Sequence, residues 1–270
     1  MAGVEYGRTH SAPSFYFHSD KSKVSNTMGN QHYHNVYELY YLTEGSCNYF
    51  IDDKSYDIHA GDLVIIPEGI IHKTTYPEGA HARKLINFSR HYLPKSAIAQ
   101  LSSLTYVYRN RAIASRVEAL FENIEEEYKK RDDYTDDVLK AYVRLLILTL
   151  ARNKNEAAND GSGNELVEKV VRYVRDNYAQ EITLASAAKE YSVSPEHLSR
   201  CFKRDTGFGF CEYLGLIRLQ HAEQLLSTAP DLSVSEVAYS SGFNDSNYFS
   251  DKFKREYGVS PMKFRNSRKK

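Results

Sequence analysis

Two periodicities divide the chain. From about residue 36 to residue 90, short runs rich in Tyr, Ile, Val and Phe (YELYYL, CNYFID, DLVIIP, KLINFS) alternate with turn-forming EGS, DDKS and PEG. Such runs read as strands, so this part is predicted to be a β-domain. From Arg111 the apolar residues fall three and four apart in RAIASRVEALFENIEEEYKK and DDVLKAYVRLLILTLARN, the spacing of helices. The second of these is apolar on more than one face, with Leu139, Tyr142, Val143, Leu146 and Leu150. Burial against the β-domain and a subunit interface both fit it. NKNEAANDGSGN, Asn153 to Asn164, has no apolar residue larger than alanine and can bury nothing, so it reads as a linker. Three segments follow: a domain at 1–152, a linker at 153–164 and a domain at 165–270, where no strand-like run occurs.

The last segment repeats itself. Leu198, Phe202, Lys203 and Gly207 match Phe249, Phe253, Lys254 and Gly258 at an offset of 51, and Ala188 and Val193 match Ala238 and Phe243 at 50. Each copy reads as helix, turn, helix, with one more residue in the second turn. In the first, Leu184 to Tyr191 is small enough to let the next helix pack close. Ser194 is placed to cap that helix, with Pro195 at its first position and Glu196 at the positive end of its dipole. Leu198, Cys201 and Phe202 share an inward face, which leaves Glu196, Ser199, Arg200 and Lys203 outward, where they could enter a major groove. The second copy has a capping box in Ser233 and Glu236, a cap at Asn244 or Asp245, and Ser246, Asn247, Ser250 and Lys254 outward. Phe210 to Ser227 reads as an amphipathic helix of about five turns between the copies. At ~1.5 Å per residue it spaces them by roughly 25 to 30 Å, close to one turn of duplex DNA.

Composition changes this picture little. The net charge is zero, which at first opposes nucleic-acid binding. Residues 165–270 nevertheless hold 16 Lys and Arg against 14 Asp and Glu, a net of +2, so the rest carries −2. No apolar run approaches the ~20 residues of a membrane span. The N-terminal residues do not read as a secretory signal, and Cys47, Cys201 and Cys211 show no CxxC spacing, which fits a reducing cytoplasm. No Gly-rich phosphate loop and no GxSxG stands in the chain.

Residues 165–265 resemble the AraC family of bacterial transcription regulators, above all in VSEVAYSSGFNDSNYFSDKFKREYGVSPMKFR, where GF, YF, FK, G and P with the closing FR stand at the family's spacing. The resemblance implies a DNA-binding regulator acting on promoter DNA and RNA polymerase. Glu196, Ser199 and Arg200, with Ser246, Asn247 and Ser250, are then the base-contacting positions, while Lys203 and Lys254 belong more to phosphate. Asp251 departs from the family, many of whose members carry Arg there.

In the first segment, His32, His34 and Glu38 form HxHxxxE, and GDLVIIPEGIIH ends on His72. The spacing resembles the two motif halves of the cupin superfamily, small β-barrels that hold a metal or small ligand. Tyr76 stands where the second half usually has Asn. Three readings are open. The histidines are polar residues of a barrel interior; or they line an effector pocket with Glu38 and Tyr40, as resemblance to the AraC family implies, for a sugar or other small metabolite; or His32, His34, Glu38 and His72 hold a divalent transition metal. The expected protein is therefore a homodimeric, effector-responsive regulator that needs no cofactor. The rival expectation is a metal-dependent cupin isomerase or dioxygenase with a DNA-binding appendage.

Overall fold

The computed structural model describes residues 14–22, 34–102, 105–153 and 163–268. His32, Tyr33 and most of the expected linker lie outside the described residues. The described residues fall into two compact units, one within residues 12–162 and one from Gly163 onward.

The first unit holds strands β1 (Phe15–Ser22), β2 (Tyr37–Glu44), β3 (Ser46–Ile51), β4 (Lys54–His59), β5 (Leu63–Ile66), β6 (His72–Thr75), β7 (His81–Phe88) and β8 (Val107–Tyr108). They form two antiparallel sheets, ordered β1-β7-β2-β5-β8 and β4-β3-β6. The four expected runs lie in β2, β3, β5 and β7. β1, β4, β6 and β8 carry too many polar residues, or are too short, to stand out from the sequence.

Strand alternation sorts the side chains of the larger sheet into two cores. Tyr37, Leu39 and Tyr41 of β2, with Ile86 and Phe88 of β7, pack on helices α1 (Lys95–Ser102), α2 (Ala114–Lys130) and α3 (Thr135–Arg152). Tyr41 stacks on Phe121 of α2 with ring centroids 5.2 Å apart. Tyr40, Leu42, Val64 and Ile66 face the smaller sheet and form a separate core with Cys47, Tyr49, Ile51 and Ile58. The hairpin from β2 to β3 turns at Gly45, whose φ is +84°. A Cβ there would stand 2.4 Å from the Ala80 carbonyl oxygen.

α3 settles half of its open reading. Leu139, Val143, Leu146, Ile147 and Leu150 are buried in the core under the larger sheet, so burial against the β-domain accounts for one face. Leu145 remains 40% exposed on another.

The second unit is helical: α4 (Glu165–Asn177), α5 (Leu184–Glu190), α6 (Pro195–Thr206), α7 (Phe210–Thr228), α8 (Val234–Ser240), α9 (Ser246–Tyr257) and α10 (Pro261–Arg268). The repeat is explicit in its geometry. α5 and α8 have 7 residues each, and α6 and α9 have 12. Both longer helices end on a glycine in the left-handed region, Gly207 and Gly258, each at φ 74° and ψ −11°. Leu198, Phe202, Phe249 and Phe253 are fully buried. α7 differs from the amphipathic expectation. Tyr213, Leu214, Gly215, Leu216, Ile217 and Leu219 are buried around nearly its whole girth, because α4 and α6 cover one side and α8 and α10 the other.

Candidate functional site

In the second unit the caps decide where the two longer helices begin. Ser194 Oγ accepts the His197 N–H at 3.2 Å to start α6, with Pro195 following. Asp245, rather than Asn244, starts α9: its carboxylate accepts the Tyr248 N–H at 2.7 Å. Ser233 and Glu236 form the expected capping box of α8. With the starts fixed and Leu198, Phe202, Phe249 and Phe253 pinned inward, helical periodicity turns the intervening residues out. Glu196, Ser199, Arg200 and Lys203 of α6 are exposed, as are Asn247 and Lys254 of α9. Ser246 and Ser250 are half-buried; Ser250 Oγ donates to the Ser246 carbonyl at 2.9 Å, and Ser246 Oγ lies 3.1 Å from Ser235 Oγ. Lys203 Nζ stands 3.8 Å from Glu212 at the start of α7, an ion pair half open to solvent and therefore weak. His197 of α6 and Tyr248 of α9 also face solvent. Sequence reasoning passed over both, although they sit one turn or less from the residues singled out.

In the first unit, three of the four candidate ligand residues meet. His34, Glu38 and His72 each present one ligand atom, and those atoms lie within 4.8 Å of one another. His34 lies just before β2, outside any strand. Its Nδ1 lies 2.9 Å from the Val36 carbonyl oxygen, and its Nε2 lies 3.1 Å from Glu38 Oε2. His72 mirrors it: Nδ1 is 2.8 Å from the Ile70 carbonyl, and Nε2 faces the same carboxylate oxygen at 3.9 Å. A carbonyl accepts only from a protonated nitrogen, so both imidazoles carry hydrogen on Nδ1 and turn Nε2 to Glu38. Tyr49 donates to Glu38 Oε1 at 2.7 Å and Asn87 to Oε2 at 3.1 Å. Two imidazole nitrogens and a carboxylate converging with their outer hydrogens tied to carbonyls suit a divalent transition metal. The same set equally suits ligand hydroxyls.

Tyr40 belongs to a neighbouring group. Its hydroxyl is 2.9 Å from that of Tyr76 and 3.5 Å from Cys47 Sγ, and its ring meets Tyr49 edge-on with centroids 5.2 Å apart. Arg83 Nη1 donates to the Tyr76 hydroxyl at 2.8 Å. Burial pushes Tyr76 up to about 12 despite the nearby guanidinium, and raises Tyr40 further, so both remain phenols at neutral pH. Tyr37 and Tyr41, flanking Tyr40 on the same strand, face the helices instead, because alternate residues of β2 point to opposite sides. Arg83 and Asn87 were missed. Ile86 and Phe88 mark one face of β7, and period two then assigns Arg83, Leu85 and Asn87 to the other, a signal present in the sequence.

A buried polar cluster between two sheets, joined in one chain to a pair of matched helix-turn-helix units, defines a ligand-binding transcription regulator. Comparison with known proteins agrees. Residues 15–141 match the AraC-like ligand binding domain and residues 187–267 a helix-turn-helix domain. The chain belongs to the AraC family of transcription regulators. It is 24% identical over 248 residues to the HTH-type transcriptional activator RhaS of Escherichia coli, covering 88% of each chain. Among solved structures it is similar to the C-terminal domain of AraT, a response regulator from Geobacillus stearothermophilus, at 34% identity over 40% of this chain and 89% of that one (TM-score 0.39). It is also similar to ToxT from Vibrio cholerae, at 17% identity over 96% and 98% of the two chains (TM-score 0.40). RhaS is a transcriptional activator, and the rival expectation of a cupin enzyme finds no support.

Proposed function

We propose that this protein reads promoter DNA with α6 and α9 and carries its effector between the two sheets of the first unit. The observation that supports the DNA half is the likeness of the two longer helices, equal in length and end geometry, each with an apolar inner face and polar outer face. Glu196, Ser199 and Arg200 on α6, and Ser246, Asn247 and Ser250 on α9, are the base-contacting residues, with Lys203 and Lys254 on phosphates. Arg200 has the fork that pairs with guanine. Asp251 accepts from a cytosine amino group if it reaches a base edge; against phosphate it is repulsive. α6 therefore contributes more base-specific energy, and α9 more of the alignment.

The effector half rests on Glu38, which is buried and converged upon by His34, His72, Tyr49 and Asn87. With Tyr40 beyond Tyr49, this polar end suits a small hydroxylated molecule such as a sugar. The same His34, Glu38 and His72, with His32, are the residues that would hold a divalent transition metal, which would supply a Lewis-acid anchor for ligand oxygens.

The chain acts as a regulator rather than an enzyme, in the cytoplasm, through RNA polymerase, and as a homodimer. Residues 153–164 link its two domains. Dimerisation is supported by the outward stripe of α3: Asp137, Ala141, Arg144, Leu145, Leu148 and Arg152. A two-fold axis between Arg144 and Leu145 would set Asp137 of one copy against Arg152 of the other, and Ala141 against Leu148, an isologous pairing.

A mobility shift on the DNA upstream of the protein's own gene tests the reading. Arg200→Ala is expected to weaken binding by about 1 to 3 kcal/mol, the worth of one good base contact. Absence of any shift at low salt would overturn it.

A further inference from the structure

The polar group between the two sheets contains a positive charge that no carboxylate among the described residues pairs with. Arg83 lies on the inner face of β7. Its neighbour Lys84 points the other way, to Glu125 of α2 at 3.1 Å, and Ile86 and Phe88 follow Lys84 toward the helices. Of the Arg83 guanidinium, Nη1 donates to the Tyr76 hydroxyl, and the side chain lies over the Tyr76 ring at 5.5 Å. Nε is buried and has no acceptor. Among the described residues no carboxylate forms an ion pair with Arg83. Asp20 stands directly opposite in the β1–β7 register, yet makes no ion pair with it. Tyr76 does not serve as the counter-charge, because it is a phenol. A second buried nitrogen without a partner, His81 Nδ1, belongs to a ring stacked on Tyr76, with centroids 3.9 Å apart.

A partly buried guanidinium with no counter-ion costs free energy that a fold does not retain without return, since a buried charge is stable only when paired. Its unpaired edge, Nε with Nη2, is the edge that takes both oxygens of a carboxylate in two parallel hydrogen bonds. We propose that the effector of this protein is a small organic carboxylate whose charged end binds the unpaired edge of Arg83, beside Tyr76. The inference rests on the reading of this unit as an effector domain and narrows its ligand. Asn87 stands four residues further along the same face of β7, so the carboxylate end and the Glu38 end are ~13 Å apart at the backbone. A sugar acid, with a carboxylate at one end and hydroxyls at the other, has the chemistry of both ends.

The full-length protein is melted, with the sheet unit followed by circular dichroism, in sodium acetate, sodium D-glucuronate, D-glucose, inorganic phosphate and sodium chloride at matched ionic strength. Acetate serves as the minimal carboxylate. Carboxylates are expected to raise the melting temperature above chloride, glucuronate at lower concentration than acetate, with glucose and phosphate ineffective. Arg83→Met should melt no lower than wild type in chloride, having lost an uncompensated charge, and should need at least tenfold more glucuronate for the same shift. Arg83→Lys, which keeps the charge but not the two-pronged edge, should also be weakened, and Asp20→Asn should respond as well as wild type or better.

The inference is overturned if wild type shows no carboxylate-specific shift, if phosphate matches the carboxylates, or if Arg83→Met responds undiminished. It is overturned too if Arg83→Met and Asp20→Asn both melt well below wild type, which would make the two a structural pair. Equal responses to glucose and glucuronate that survive Arg83→Met would remove the carboxylate and leave the effector domain standing. Absence of DNA binding with the carboxylate response intact would remove the DNA half of the proposed function and leave the carboxylate site standing.

Discussion

The two helix-turn-helix copies place different residues at the same strained turn, and that difference yields paired predictions of opposite sign. Gly242 has φ +84° and Ser192, its counterpart at the offset of 50, has φ +55°. At Gly242 a Cβ would stand 2.5 Å from the Tyr178 carbonyl oxygen and 2.9 Å from Ala179 Cα. Neither can swing aside, because Arg218 clamps this segment: Nε donates to the Tyr178 carbonyl at 2.8 Å and Nη2 to that of Gln180 at 2.9 Å. Gly242→Ala then incurs roughly 1 to 2 kcal/mol for a left-handed L-residue and about 1 to 3 kcal/mol for the overlap, less about 0.4 to 1 kcal/mol regained from a stiffer unfolded chain. The net is a destabilisation of about 1 to 4.5 kcal/mol. Ser192→Gly runs the other way. Relief of about 1 to 2 kcal/mol, offset by about 0.4 to 1 kcal/mol of unfolded-state entropy, leaves a gain between zero and about 1.5 kcal/mol. Urea unfolding of the full chain, followed at 222 nm where the helical unit dominates, measures both. A Gly242→Ala protein within about 0.5 kcal/mol of wild type, or a clearly destabilised Ser192→Gly protein, would refute the reasoning.

Other expectations follow from single contacts. Tyr49→Phe removes one donor from the buried Glu38 carboxylate and should cost about 1 to 3 kcal/mol, read as a lower melting point of the sheet unit with DNA binding retained. Burial, with the positive field of Arg175 added, holds His221 below its ordinary histidine pKa, where it stacks on Tyr178 at 3.8 Å. The folded unit therefore resists a proton that the unfolded chain accepts, so its stability is full above the histidine range and falls as pH drops through it. His221→Phe should flatten that slope between pH 7.5 and pH 5.5, and an unchanged slope would refute the assignment. For the dimer, Leu145→Glu should yield monomers in sedimentation, Asp137→Arg should weaken association, and adding Arg152→Asp should restore it.

The second unit was legible because its rules are local. Caps, the glycine after each reading helix and the buried Phe pairs lie within a turn or two of one another, and the repeat displays each twice. Only α7 was misjudged, since burial around its girth depends on four helices brought in from other parts of the chain. The first unit was legible only where strands are strongly apolar. β1 and β4 carry Asp, Lys and His at exposed positions. His34 reaches Glu38 from outside any strand, just before β2, where no alternation marks it. Arg83 could have been found by counting in twos from Ile86, but its missing counter-ion is a property of register between strands distant in sequence, which no local pattern reveals.

The central claim is that α6 and α9 enter successive major grooves on one face of the duplex, and protection of guanine N7 atoms from methylation tests it most directly. On a bound upstream site the account predicts two protected patches about 10 base pairs apart, with Arg200→Ala erasing one and leaving the other. A single patch, or two separated by half a turn and so facing opposite sides of the helix, would contradict it.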